Sequence, residues 1–180
     1  MKKDEIDISY PLFKYLNSDF AQVELGNELN EIDYFILTIL SYTKFDLIKN
    51  KNLKKLTLLD YYYLLPSSDS HQVNRYLTLL RLAGKSIRYK KIKIVNYKYD
   101  FSALEEKQFA AITFLLPNKR RFISFRGTDT TLIGWKEDLN MAFLSEIPAE
   151  KEAYQYLLKE MKNHPLSKFY FGCHSKARAL

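Results

Sequence analysis

The chain has 180 residues, 47% of them hydrophobic, 27% charged and 15% aromatic, with a net charge of +7. These proportions exclude a disordered, collagen-like or low-complexity protein and leave enough length for a buried core. One cysteine excludes an internal disulfide framework and suits a reducing, cytoplasmic setting. The start MKKDEIDISY lacks a following apolar run, and no apolar stretch reaches the roughly 18 residues of a membrane span, so neither signal peptide nor transmembrane segment is expected.

Residues 1–84 read as mainly helical. Pro11–Asn17 can form a short helix. In the next helix Ile32, Phe35, Ile36, Ile39 and Leu40 follow the spacing of one buried face. A third apolar region, Leu53–Leu65, contains Tyr61, Tyr62 and Tyr63, read as core and rim, and stops at Pro66. His71–Ala83 follows a serine-rich turn that offers N-caps, and Gly84 closes it.

Residues 85–180 carry strands and helices. Ile87–Tyr99 reads as a partly exposed strand with basic and apolar positions interleaved. Phe109–Leu116 and Arg121–Phe125 read as a hairpin across Pro117-Asn118-Lys119. Thr131–Phe143 and Ala149–Asn163 read as helices. The second has an apolar stripe at Ala153, Tyr156, Leu157 and Met161 and a wet face that includes Glu160. Lys168–His174 is a last strand, ending beside Ser175.

Basic residues gather at Lys49–Lys55, at Arg88–Lys93 and at Lys119–Arg121. Such patches can meet phosphate backbones or anionic membranes, but their strand and turn contexts read as solvated surface. No nucleic-acid motif accompanies them, and neither a cofactor nor a metal is expected.

A serine hydroxyl attacks an acyl carbon only when held exposed and relieved of its proton. A tight strand-to-helix turn with small residues on either side of the serine does the first job. The string Gly172-Cys173-His174-Ser175-Lys176-Ala177 follows an apolar strand and offers such an elbow. Upstream stands FRGTDTTLIGWKEDLN, Phe125–Asn140. Together these segments resemble the class 3, fungal-type lipases, and more closely their bacterial Mbeg-like branch. The likeness runs from about Asn27 through EEKQFAAITF and the FRGTD segment to CHSKARAL.

The resemblance implies a serine hydrolase of the lipase and esterase type acting on acyl esters or lipids. Its fold would be α/β, an α/β-hydrolase-like sheet with helices behind a helical N-terminal region. Ser175 matches the nucleophile. Thr128 and Lys176 match the oxyanion-hole residues, the latter through its backbone N–H. Arg126, Trp135 and Asp138 match supporting positions, with Arg126 anchoring its loop by an ion pair and the Asp138 carboxylate in contact with the Thr128 hydroxyl. Helix packing and capping are the plain alternative for Arg126, Trp135 and Asp138.

The family pattern is not met throughout. Cys173 stands where the family has glycine, Ala177 and Arg178 replace two glycines, and Ala179 replaces asparagine. The expected Asp and His of the triad would follow Ser175, yet only five residues do. This reads as one incomplete domain over 1–180, truncated near the elbow by a lost reading frame or a cut, and inactive as it stands. His71, His164 and His174 read as ordinary surface or core residues rather than as the missing base. The rival reading is a non-catalytic remnant or interaction module for a protein or anionic partner. An unfinished sheet edge along Lys168–His174 leads to an expectation of self-association.

Overall fold

The computed structural model describes residues 10–48, 56–102, 107–127 and 148–174. Helix α1 (Pro11–Leu16) begins with proline at the first turn, where the missing N–H has no intrahelical partner to lose. Helix α2 (Glu31–Leu40) starts from a capping box in which Asn30 and Asp33 each accept the other's backbone N–H at 2.9 Å. Thr57 and Asp60 repeat the device for α3 (Leu58–Leu64), and Ser70 caps α4 (His71–Lys85). Helix α5 spans Pro148–Asn163.

The strands are β1 (Leu56–Thr57), β2 (Lys93–Ser102), β3 (Lys107–Leu115), β4 (Arg121–Phe125) and β5 (Phe169–Cys173). They form one mixed sheet in the order β1-β2-β3-β4-β5, making this an α/β protein. The first three pairings are antiparallel, and only β4–β5 is parallel. Asn118 and Lys119 take φ of 60° and 56° in the β3–β4 turn, and Leu116 N donates to Arg120 O across it at 2.9 Å. The short strand β1 lies within the half expected to be mainly helical.

Each face of the sheet is covered. Ile94, Ile112, Phe114, Phe122 and Tyr170 join the helical half in one apolar cluster. Phe109, Ala111, Ile123 and Phe125 pack on Ala149, Ala153 and Tyr156 of α5 in a second. Covered on both sides, β4 is buried at all five positions, which accounts for its nearly continuous apolar run. A bulge between Ile94 and Asn96 shifts the β2 register. Beyond it Asn96 and Lys98 turn to the α5 face, meeting Glu160 and Glu152, while Tyr97 joins the helical side.

Several elements differ from their sequence reading. The strand expected from Ile87 begins at Lys93, because Arg88 and Tyr89 are held in a turn before it. Gly84 lies inside α4 rather than after it. A Cβ there would come within 2.7 Å of the Leu59 backbone N, so glycine is what permits α3 and α4 to touch. Helix α2 buries Asp33, Ile36, Leu37 and Leu40, leaving Phe35 49% exposed. On α5 the buried line is Ala149, Ala153, Tyr156 and Glu160, and Met161 faces out. In both helices a carboxylate occupies the inner face because a distant arginine meets it there.

The α2 carboxylate is the more elaborate. Arg88 donates to Asp33 through Nε and Nη2, both at 2.6 Å, and the Tyr89 hydroxyl donates at 2.6 Å. Burial pushes the Asp33 carboxyl upward, but hydrogen bonds from Arg88, Tyr89 and the Asn30 amide outweigh it and hold its pKa below the usual value. A depressed carboxylate pKa adds stability above the unfolded value of about 3.9, lost as pH falls through the folded value. Asp33→Asn should therefore lower stability by ~2–4 kcal/mol at neutral pH, leaving the mostly covered Arg88 without its counter-charge. Urea denaturation from pH 7 to pH 2 should show the gap between wild type and variant narrowing only below about pH 4.

The parallel strand ends as a candidate active site

Strands β4 and β5 run side by side, with Phe125 paired to Cys173, so the chain leaves both at the same edge of the sheet. Carboxyl ends of parallel strands are where α/β proteins build sites, since backbone groups there are free of the ladder. Arg126 and Gly127 continue from β4, and His174 continues from β5. The oxyanion and supporting residues Thr128, Trp135 and Asp138, the nucleophile position Ser175 and Lys176 all lie outside the described residues. So does the expected Thr128–Asp138 contact.

Arg126 is only 7% exposed. Its backbone N donates to Ala110 O at 2.9 Å, fixing the exit of β4. Its guanidinium sits over the Tyr99 ring at 5.1 Å, a contact between β2 and the end of β4. Next to it, burial raises the Tyr97 hydroxyl pKa and nearby Asp46 raises it further, while the Arg126 charge pulls it down. The Tyr97 hydroxyl donates to Asp46 at 3.3 Å. Arg126 is thus packed against aromatic rings of β2 at the place where the FRGT segment begins.

On β5, Tyr170 packs inward and Phe171 faces out. Gly172 is pressed against the helical half: a Cβ there would lie 2.2 Å from Thr38 Oγ1 and 2.6 Å from Phe122 Cζ. The absent side chain lets the strand lie flat on α2 near its end. Beyond it, exposed Cys173 is a free thiol, and Tyr42 OH lies 2.8 Å from His174 Nδ1. The sequence reading gave no site role to Tyr42, Tyr97 or Tyr99. Nothing in their local spacing marks them, because each reaches this edge from another element.

Of the basic clusters, Lys49–Lys55 lies outside the described residues, and Lys90, Lys91, Lys93 and Lys119 are exposed as expected, but three arginines are not. Arg88 binds Asp33. Arg120, 4% exposed, donates through Nη1 to Asn27 O at 2.5 Å and through Nε to Pro117 O at 3.0 Å. Arg121, 8% exposed, meets Glu160 at 3.5 Å. These three arginines hold elements together instead of forming a solvated patch. Among the described residues no group of His, Cys, Asp and Glu could hold a metal ion, and no helix is long and apolar enough to cross a membrane.

A family model described as Mbeg1-like matches residues 83–180, from the end of α4 through β5 and on to Leu180. The chain belongs to the Mbeg1-like family. Comparison with curated proteins and with solved structures gives no match. The Mbeg1-like region thus takes in both parallel strand ends and the strings that follow them.

Gly172 provides a test of this geometry. Gly172→Ala should destabilise the protein by ~1–3 kcal/mol, since a methyl group must displace Phe122 or Thr38. Urea denaturation would measure it, and an unchanged midpoint would contradict the close approach of β5 to α2.

Proposed function

We propose that this Mbeg1-like chain is a serine-hydrolase-like protein of the lipase and esterase type. The observation that carries the reading is the parallel β4–β5 pair, whose ends lead at one edge into FRGT and CHSK. In the proposed reaction Ser175 Oγ attacks the acyl carbon of an ester while its proton passes to a base. The negative oxygen is received by the N–H groups of Thr128 and Lys176. The alcohol then leaves with a proton, and water later releases the acid from the serine ester. Fixed donors aimed at a developing oxyanion are typically worth ~3–4 kcal/mol each.

Asp138 holds the Thr128 hydroxyl in this scheme, and Trp135 packs the helix that carries Asp138. A fluorophosphonate probe should label Ser175 and leave Ser175→Ala unlabelled. Thr128→Val and Asp138→Asn should each slow labelling, and the double variant should lose little beyond the worse single change. Equal labelling of Ser175→Ala would end the nucleophile assignment.

Self-association fits the same reading. Among the described residues β5 pairs on one side only, and its Phe171 is 46% exposed. A bare strand edge beside an exposed ring invites pairing with another copy. Light scattering across a concentration series should give a mass above 21.3 kDa that rises with concentration. A constant monomer mass would remove this part of the proposal.

A further inference from the structure

His174 stands at the end of β5, next in the chain to Ser175, and its imidazole is bound by a residue of the helical half. The Tyr42 hydroxyl lies 2.8 Å from His174 Nδ1. The two rings meet edge to face at 5.5 Å and 89°. Tyr42 is itself stacked on Tyr76 of α4, with centroids 5.6 Å apart and planes 24° from parallel. The phenol therefore reaches His174 from a ring held in place by a second aromatic side chain.

The chemistry of the pair selects a proton position. A phenol donates far better than it accepts, and the unprotonated imidazole nitrogen is a strong acceptor. With Tyr42 donating to Nδ1, a neutral His174 carries its proton on Nε2. Because His174 is exposed, that N–H is open to a ligand at the end of β5. The same tautomer leaves Nε2 without the lone pair a general base would need.

We propose that Tyr42 is a positioning residue that fixes His174, the residue before Ser175 in the chain, as an Nε2–H hydrogen-bond donor available to an oxygen of the bound acyl ester. The use by an ester rests on the hydrolase reading, whereas the tautomer does not. Tyr42→Phe keeps the ring and its stack on Tyr76 and removes only the hydroxyl. The variant should therefore melt with the wild type while losing the bias of the imidazole.

Two readouts decide it on the full chain. Long-range proton–nitrogen spectra of the neutral imidazole, assigned with His174→Gln, should show the Nε2–H form in wild type and a mixed population in Tyr42→Phe. A wild-type Nδ1–H form, or identical spectra in the two proteins, would overturn the proposal. Fluorophosphonate labelling of Ser175 should slow several-fold in Tyr42→Phe at unchanged melting temperature, and labelling at the wild-type rate would overturn the positioning role. If wild type takes no label, the hydrolase reading and the ester's use of the donor both fall, while the spectra still decide the Tyr42–His174 pair by themselves.

Discussion

A buried carboxylate sets the frame on which the sheet is built. Asp33 closes the first turn of α2, accepts a two-pronged bond from Arg88 and receives the Tyr89 hydroxyl. Arg88 and Tyr89 belong to the turn that delivers the chain into β2, so one side chain ties the start of a helix to the start of the sheet. Desolvating a charge is costly unless its lone pairs are occupied, and here the Asn30 amide, Arg88 and Tyr89 occupy them together. With the entry of β2 located, the bulge after Ile94 determines which residues reach each face. Glu160 and Arg121 repeat the principle on the opposite side, where a buried pair joins α5 to β4.

The two layers meet at the edge where β4 and β5 end. Helix α2 presses on β5 through Gly172, and Tyr42, just past its end, reaches His174. From the other strand Arg126 leans back onto β2 through Tyr99. The strand ends that carry the family strings are therefore braced from the helical half on one strand and from the sheet on the other. That arrangement suits chemistry that depends on donors fixed before substrate arrives.

Much of this was legible from local pattern. The β3–β4 hairpin was visible in Pro117-Asn118-Lys119 between apolar runs, and the positive φ values at Asn118 and Lys119 supply its turn. Helix α5 and strand β5 appeared close to their expected limits. What escaped were features created by partners far along the chain. Periodicity assigns charge to the wet side, so it could not place Asp33 or Glu160 inward without knowing of Arg88 and Arg121. Gly84 carries the composition of a helix stop, and only the proximity of Leu59 explains its place within α4. Of the residues assigned to the candidate site, Arg126 alone is described, and its partner Tyr99 has no signature in the FRGT string.

The single parallel pairing also has a kinetic meaning. Strands β2, β3 and β4 follow one another in the chain and pair antiparallel, so each can pair soon after its neighbour forms. Strand β5 must return from beyond α5 to reach β4, and the closure entropy of that excursion is met before any contact compensates it. It also has to seat Gly172 in a gap between Thr38 and Phe122 that exists only once α2 has docked. The strand that leads into the CHSK string is thus the natural last arrival in folding and the first candidate for local opening.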